Sequence, residues 1–361
     1  MKSVVCQRSC RRVCNAGIAL ILVLLSLFSL GVMAGIFAYA MKVETRLAYN
    51  TTSGTELEWL GRSGVELAKW ILVQQETLVP SERGYFALNQ FWAGGPGPVD
   101  SVDNPFAGLS LRDIPIGEGR VTLEITDQER WLNINSVYRN PPLLDQALAI
   151  AGADASDASV ISSALVDWID RDDIPQAANG AEREFYLDSD PPIEAKNGVV
   201  DDLSELLLVR GVTPSIYWGP DWSITALGTP APSKPRSVGF GDRESGESGA
   251  GLAQIFCAVS TGRVNVNTAP EAVLRLLMGG DAARAREAIR MREEMPARDA
   301  GDIARLLGGA GSSGVGGQLT TQSFTFSVRV TAQLGASRET FISLISRSGA
   351  RDYQTLLFRR E

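Results

Sequence analysis

Histidine is absent from the 361 residues, and acidic residues outnumber basic ones, with 42 Asp and Glu against 34 Lys and Arg. Without histidine, the chain has no His-based catalytic triad, histidine zinc site or histidine proton shuttle. A net charge of −8 argues against a surface that binds the phosphate backbone of nucleic acids. The composition therefore predicts neither a histidine-dependent enzyme nor a nucleic-acid-binding protein.

Cysteine is also scarce, with four residues in the chain. Cys6, Cys10 and Cys14 recur every four residues, as on one face of a helix, but they match no zinc-knuckle spacing. Incidental placement is therefore favoured over a metal site. Cys257 stands alone in the rest of the chain, which leaves no pair for an intramolecular disulfide there. The stability of this part has to come from packing or from a bound ion.

Charge is missing between Arg12 and Lys42, where Leu, Ile, Val, Ala, Phe and Gly dominate. A run this long predicts a single membrane-spanning helix over residues 18–41. Four basic residues precede it, so we expect a cytoplasmic N-terminus and an exported remainder. A cleaved signal peptide is the alternative, because Ala38-Tyr39-Ala40 looks like a signal-peptidase site and would leave Met41 at the N-terminus. The apolar run is about twice the roughly 7–15 residues of a signal peptide, which favours the retained anchor.

After the span, apolar residues recur at three and four residues up to about Leu78, which predicts a continuing amphipathic helix. Alternating patterns then predict strands at 120–125 and 130–135, and three more at 324–330, 339–346 and 353–358. Helical patterns fill the middle, at 142–150, 159–169, 203–209, 270–278, 282–294 and 300–307. We therefore predict an α+β fold in which a helical insertion splits a small antiparallel sheet.

This organisation divides the chain into five parts. Residues 1–17 form a leader, 18–41 the span, and 42–140 the amphipathic helix with the first strands. Residues 141–310 form the helical insertion, with a flexible loop near 228–251 that is rich in Gly, Pro and Ser. Residues 311–361 supply the C-terminal strands of the sheet.

Four segments carry a family resemblance. They are Arg11-Arg12 with Ala16-Gly17-Ile18-Ala19-Leu20, ITDQERWLNIN at 125–135, VDWIDRD at 166–172 with Gly180-Ala181-Glu182 and Tyr186, and STGRVNVNTAP at 260–270. The first segment alone fits any type IV pilin-like protein. Together they resemble, over nearly the whole chain, the K-type minor pseudopilins of bacterial type II secretion systems, also called general secretion pathway protein K.

The resemblance implies a pilin-like fold, with an insertion of helix-hairpin-helix or SAM-like type, and a chain that is not an enzyme. It also implies that prepilin peptidase cleaves after Gly17 and that mature Ile18 is N-methylated. Most pilins have glutamate at the fifth mature position, whereas this chain has Leu22, as K-type members typically do. A carboxylate in lipid is costly without a partner. Leu22 therefore suits a subunit with no neighbour above it, at a filament tip.

The implied role is a tip subunit that initiates or caps a pseudopilus for the export of folded proteins across the outer membrane. Its place would be the inner membrane, with a periplasmic C-terminal domain. The implied partners are the I-type and J-type minor pseudopilins in a heterotrimer, the major pseudopilin and the inner-membrane assembly platform. The helix face expected at this interface consists of Leu57, Leu60, Val65, Ala68 and Leu72. A pilin-like subunit for DNA uptake or adhesion is the alternative, which a basic groove in the insertion would favour.

Eight acidic residues crowd residues 167–190, and a loop this acidic repels itself without a cation. Ca²⁺ takes six to eight oxygen ligands, and the resemblance implies calcium sites. We therefore predict calcium bound by Asp170, Asp172 and Glu182, against the alternative of a solvated acidic loop. Paired carboxylates also occur in glycosidases, but carboxylate pairs alone define no catalytic geometry. The membrane anchor and the lack of any sign of a sugar cleft argue against that chemistry. The segment near Gly211 resembles DNA-binding helical hairpins, but the acidic surroundings favour protein contact or structural packing.

Overall fold

The computed structural model describes residues 16–78, 82–95, 106, 109–219, 223–224, 230–231, 250–308, 318–349 and 352–361. Residues 1–15 of the leader predicted at 1–17, and most of the predicted flexible loop at 228–251, lie outside these residues. The chain forms two units, the first ending at Leu57 and the second running from Glu58 to Glu361. Apart from helix α1, which continues across this boundary, the elements given below belong to the second unit.

The helices are α1 (Ala16–Leu78), α2 (Ile134–Val137), α3 (Pro141–Ile150), α4 (Ala155–Ile169), α5 (Arg183–Leu187), α6 (Pro214–Trp218), α7 (Glu271–Leu277), α8 (Ala282–Glu294) and α9 (Ala300–Leu306). Short 3₁₀ helices occupy Phe91–Ala93, Leu203–Leu208 and Leu252–Gln254. The helix predicted at 203–209 is therefore a 3₁₀ helix. It starts with a capping box, in which the Asp202 side chain accepts from Ser204 N and the Glu205 side chain accepts from Asp202 N.

The strands are β1 (Ile114–Ile116), β2 (Gly119–Asp127), β3 (Leu132–Asn133), β4 (Ser223–Ile224), β5 (Pro230–Ala231), β6 (Phe256–Cys257), β7 (Val264–Asn265), β8 (Leu319–Thr320), β9 (Thr325–Leu334), β10 (Ser337–Arg347) and β11 (Tyr353–Arg360). Five of them form an antiparallel sheet in the order β1-β2-β9-β10-β11. The six short strands pair in twos, β3 with β6, β4 with β5, and β7 with β8. The predicted α+β class is confirmed.

The central pair of the sheet joins distant parts of the sequence. β2 lies antiparallel to β9, with Arg120 opposite Gln333 and Asp127 opposite Phe326. Helices α2 to α9 therefore lie in sequence between two neighbouring strands. The intervening segment is not purely helical, because it contains the short parallel pairs β3–β6 and β7–β8.

The prediction of a strand over 130–135 is wrong for most of its length. Only Leu132 and Asn133 are extended, and helix α2 follows at once. The Asn133 side chain accepts a hydrogen bond from Asn135 N at 2.9 Å, which makes it the N-cap of α2. Asparagine at this position favours helix initiation over strand continuation.

The C-terminal part of α1 packs on the sheet. Leu60 approaches Gly119 of β2, and Gly64 faces Val330 of β9 and Leu123 of β2. A Cβ atom at Gly64 would overlap the Val330 side chain. Glycine therefore allows the helix backbone to approach the sheet closely, and the residues around it share the core with β2 and β9.

The helices of the insertion have their own hydrophobic core. Leu144 and Leu148 of α3, Ile161 and Leu165 of α4, and Leu274 of α7 are fully buried in one cluster. This packing fixes the C-terminal end of α4, where the acidic loop begins.

Candidate functional site

A buried aspartate at the end of α4 positions the acidic loop. Asp167 is completely buried, and its Oδ1 accepts a hydrogen bond from Gln176 N at 2.8 Å. Its Oδ2 accepts from Ala181 N at 2.6 Å. A Cβ atom at Gly180 would overlap Asp167 Oδ2, so glycine is required where the loop returns. These contacts explain the Asp167 and Gly180-Ala181 pattern of the sequence.

An aromatic pair supports the same loop from inside. The rings of Trp168 and Tyr186 meet edge to face at 5.1 Å. The Tyr186 hydroxyl accepts a hydrogen bond from Arg210 N at 3.2 Å, and Arg210 Nη1 donates to Gly180 O at 3.1 Å. These contacts hold the loop against the Trp168–Tyr186 pair and Arg210, so the ends of the acidic stretch have defined positions.

Three acidic side chains converge at this position. Asp170, Asp172 and Glu182 each place one carboxylate oxygen within 4.8 Å of the other two. These are the three residues selected from the sequence. Glu184, Asp188 and Asp190 are not part of this group, and Asp167 is occupied by its backbone donors.

The oxygens of this group have unmet bonding capacity. Glu182 is only 6% exposed, and neither of its carboxylate oxygens has a hydrogen-bond partner. Asp170 Oδ1 is also buried without a partner. Buried acceptors without donors are costly, and a hard cation would satisfy several of them together. The donor set therefore fits Ca²⁺, which prefers carboxylate oxygens.

The electrostatics of this group also favour a bound cation. Burial, followed by the charges of Asp167, Asp170, Asp173 and Asp172, raises the pKa of Glu182 to about 7. Burial also raises the pKa of Asp170, and Asp172 and Asp167 add to the shift. Both shifts arise because charged carboxylates are crowded together in a poorly solvated place.

A second buried polar cluster was not predicted from the sequence. Asp127, at the end of β2, accepts hydrogen bonds at its Oδ2 from Ser323 Oγ and Thr268 Oγ1, both at 2.6 Å, and from Asn265 Nδ2 at 3.2 Å. Glu129 accepts from the backbone N–H groups of Thr261, Phe324 and Thr325. We call Asp127, Glu129 and their donors the carboxylate hub.

The carboxylate hub connects the sheet to the segment around β7. Its two carboxylates and three of its donors come from two of the four segments that carry the family resemblance, at 125–135 and 260–270. Its other donors, at or just before the start of β9, are Ser323, Phe324 and Thr325. Burial, followed by the charge of Glu129, raises the pKa of Asp127 to about 7, although the hydroxyls of Ser323 and Thr268 oppose the shift. The sequence did contain an indication of the hub, namely polar residues inside otherwise apolar motifs. It did not show their partners, since Asn265 and Thr268 lie more than 130 residues from Asp127.

The predicted helix interface lies inside the chain. Leu57, Leu60, Val65, Ala68 and Leu72 are all at most 9% exposed. A side chain already enclosed by its own chain offers no surface to a partner, so this burial counts against the predicted interface. The exposed large apolar residues of this part of α1 are instead Trp59, at 65%, and Trp70, at 47%. They are eleven residues apart, about three helical turns, and so share one face.

The N-terminal part of α1 is the one helix, among the residues that the structure describes, that is long and apolar enough to cross a membrane. It is suited to membrane anchoring. Gly17 and Ile18 lie within this helix, and Ile18 and Leu22 are exposed. Cleavage after Gly17 and methylation of Ile18 stay predictions.

Comparisons with known proteins agree with these features. Two family models match, both described as type II secretion system (T2SS), protein K, over residues 132–228 and 264–325. The first match contains the acidic loop, and the second contains five of the six donor residues of the carboxylate hub, all but Thr261.

Similar relatives include two named type II secretion system protein K. The protein from Aeromonas hydrophila is 27% identical over 230 residues, which cover 58% of this chain and 62% of the relative. The one from Klebsiella pneumoniae is 26% identical over 216 residues, covering 56% and 59%. The matched region thus spans about three fifths of the length of these relatives.

One similar solved structure is that of the GspK-GspI-GspJ complex from the type 2 secretion system of enterotoxigenic Escherichia coli. One of its chains matches with a TM-score of 0.63 and 19% identity, covering 87% of this chain and 99% of that chain. At this identity the match shows a shared fold. The chain is therefore similar to type II secretion system protein K in two separate segments of its sequence and in its fold, as its motifs predicted.

Proposed function

We propose that this chain is a minor pseudopilin at the tip of a type II secretion pseudopilus. The observation that carries the proposal is the architecture of α1 and the sheet. An apolar helix suited to a membrane continues into a half that packs on an antiparallel sheet, and the segment from α2 to α9 interrupts that sheet. The role is to initiate or cap assembly beneath the chain. It requires no catalysis, and the absence of histidine is consistent with that.

The proposed partners are the I-type and J-type minor pseudopilins. The similar solved chain belongs to a complex of GspK with GspI and GspJ, which supports this choice. The major pseudopilin, the assembly platform of the inner membrane and prepilin peptidase complete the proposed partners. Leu22, in place of the usual glutamate, supports a position with no subunit above.

The proposed orientation places residues 18–41 in the inner membrane as a single pass. The N-terminus is cytoplasmic before processing, and the folded part is periplasmic. The basic residues before the span support this orientation.

The exposed face of α1 is the proposed contact with partner helices, in place of the buried face predicted from the sequence. Trp59 and Trp70 are large, rigid apolar side chains, and tryptophan is enriched among the residues that dominate binding energy at interfaces. The ion pairs Arg62–Glu58 and Lys69–Glu66 flank them. Such a face combines an apolar centre with a charged rim.

Asp170, Asp172 and Glu182 are the proposed calcium ligands. The partnerless oxygens of Glu182 and Asp170 support the assignment. When bound, the ion would join the end of α4 to the start of α5, because Asp170 follows α4 and Glu182 precedes α5. It would act as a structural link, with no chemical step of its own.

Co-purification of the exported parts of the three minor pseudopilins tests the proposal. The wild-type chain is expected to form a complex with the I-type and J-type partners. The double variant Trp59→Glu, Trp70→Glu is expected to lose it, because charge on the exposed face opposes desolvation of the contact. Leu356→Glu with Leu357→Glu is the matched control, since these leucines of β11 are also exposed but lie off α1.

The outcomes separate two claims. Failure of the wild-type chain to bind either partner would contradict the tip role. Binding by the tryptophan variant with loss in the leucine variant would leave the role intact and place the contact on the edge of the sheet.

A further inference from the structure

Two basic residues of α1, just after the proposed membrane span, differ from the other basic residues of this helix. Arg62 and Lys69 each form an ion pair with a glutamate of α1, both at 2.7 Å. Lys42 and Arg46 are both exposed, and neither forms an ion pair with any residue that the structure describes. Their charges are therefore available to an anion outside the chain.

Lys42 and Arg46 lie on one face of α1, together with Tyr39. Residues three, four and seven apart share a face of a helix. Two cations four residues apart repel each other when no anion lies between them. Glu44 cannot be that anion, because at 3.6 residues per turn it lies about 160° around the helix axis from both. This face thus combines two adjacent positive charges with one aromatic ring.

The proposed span places this face at the surface of the membrane. Tyr39 lies in the last turn of the span at 18–41 and is 72% exposed. Lys42 follows the span directly, and Arg46 comes one turn later, about 6 Å further along the axis. Helical side chains lean toward the N-terminus of their helix. Both cations therefore lean back toward the lipid headgroups, at the level where tyrosine rings are enriched.

A phospholipid headgroup supplies the anion that this face lacks. Lysine and arginine both donate to phosphate oxygens, arginine through two parallel N–H groups. A headgroup with net negative charge fits best, because a zwitterionic one would bring its own cation to the face. We propose that Tyr39, Lys42 and Arg46 together bind the headgroup of one anionic phospholipid in the periplasmic leaflet. This inference rests on the proposed span and orientation, and it is independent of the tip role.

Such a lipid fixes the depth of the helix in the membrane. Movement of α1 toward the cytoplasm would carry Lys42 into hydrocarbon, where a charged side chain is costly. Movement in the other direction would pull both cations away from the phosphate. The bound headgroup therefore opposes displacement both ways and sets the height at which the part of α1 beyond the span begins.

The test is a titration of the full chain in detergent with phosphatidylglycerol, with native mass spectrometry of the bound lipid. The wild-type chain is expected to bind one phosphatidylglycerol in preference to zwitterionic phosphatidylcholine. Lys42→Gln with Arg46→Gln is expected to weaken this binding about tenfold or more, since each basic residue near a membrane surface adds to the attraction. Arg62→Gln with Lys69→Gln is the matched control. It removes the same two kinds of charge from the same helix, away from the span, and should bind like the wild type.

Glu44→Gln separates a site on one face from an effect of net charge. A site on the face of Lys42 and Arg46 predicts binding like that of the wild type. Tighter binding by Glu44→Gln, or equal weakening in the matched control, would show that net charge alone attracts the lipid, and would overturn the inference.

Two further outcomes would also overturn the inference. Undiminished binding by the variant of Lys42 and Arg46 would assign these cations to an acidic side chain of a neighbouring subunit. Free glycerol phosphate that binds as tightly as phosphatidylglycerol would show a site for soluble phosphate. A wild-type chain that stays soluble without detergent or lipid would instead overturn the proposed span itself.

Discussion

Buried carboxylates in this chain differ by what surrounds each oxygen. Both oxygens of Asp167 accept backbone N–H groups, and Asp127 Oδ2 accepts three side-chain donors. Glu182, by contrast, is buried with no donor at either oxygen. Hydrogen-bond donors favour the ionised form of a carboxylate, although at Asp127 burial and the charge of Glu129 outweigh them. At Glu182 no donor offsets burial and the neighbouring acids. The first two side chains are therefore structural, and Glu182 is the one suited to a cation.

Asp127 gives a prediction about pH. Its pKa in the folded chain is about 7, against an ordinary value of 3.8. Between these values the folded state binds more protons than the unfolded state, so the free energy of unfolding decreases as the pH rises from 3.8 to about 7. This slope is proportional to the difference in bound protons between the folded and unfolded states. Asp127→Asn is expected to reduce that difference by up to one proton and so make the slope shallower. Denaturant unfolding at a series of pH values measures it.

Glu182 has a raised pKa as well, so the comparison uses a Glu182→Gln background in the presence of a chelator. The absolute stability of Asp127→Asn will be lower, because an amide cannot accept from all the donors around it. Only the slope is diagnostic. An unchanged slope between pH 4 and 7 would mean that Asp127 stays ionised in the folded chain.

Gly17 gives a prediction about processing. Gly17→Val is expected to block removal of the leader, because the site implied by the resemblance needs a small residue before the cut. Mass spectrometry of membrane-purified protein should show Ile18 as the methylated first residue in the wild type, and the uncut chain in the variant. A wild-type chain that begins at Met41 would instead indicate signal-peptidase cleavage.

The sequence predicted the group of three better than the carboxylate hub. Asp170, Asp172 and Glu182 stand within 13 residues, so local acidic density was enough to select them. Asp127 accepts hydrogen bonds from Asn265 and Thr268 only because the ends of β2 and β7 lie close together in the folded chain. No local pattern encodes such a contact, and Asp127 lies in the sequence only between the strands predicted at 120–125 and 130–135.

At the scale of elements, α1 shows what periodicity can and cannot predict. The repeat of Leu60, Val65, Ala68 and Leu72 correctly indicated a buried face. Periodicity does not say which surface covers that face, and the sheet of the same chain competes with any partner. Gly64 was the indication in the sequence that this face packs on the sheet of the same chain, because glycine allows close approach to Val330.

The two faces of α1 should respond differently to charge. Val65→Asp places a carboxylate in the core and is expected to lower the free energy of unfolding by about 3 kcal/mol or more. Trp70→Glu changes an exposed position and should cost less than about 1 kcal/mol. Denaturant unfolding of the full chain in detergent measures both. Equal, small effects would mean that the buried face is not part of the folding core.

At the scale of the molecule, the insertion is compatible with the sheet because it begins and ends near neighbouring strands. The chain leaves β2 at Asp127 and returns to β9 at Thr325, and the carboxylate hub bridges the two points. The alternation of β2, β9 and β10 was readable in the sequence, so the sheet and its interruption could be predicted. The short pairs β3–β6 and β7–β8 could not, since two-residue strands form only where tertiary contacts bring them together.

Calcium removal is the prediction that involves the whole chain. An ion that binds only the folded state raises the free energy of unfolding, by about 2.7 kcal/mol at 100 times its Kd. Chelation should therefore lower the melting temperature of the wild-type chain. The triple variant Asp170→Ala, Asp172→Ala, Glu182→Ala should melt at the same temperature with and without calcium. In chelator it should melt no lower than the wild type, because the substitutions also remove crowded acids and the partnerless oxygens of Glu182. Wild-type melting that ignores chelator would contradict the site, and a triple variant that still responds to calcium would place the ion elsewhere.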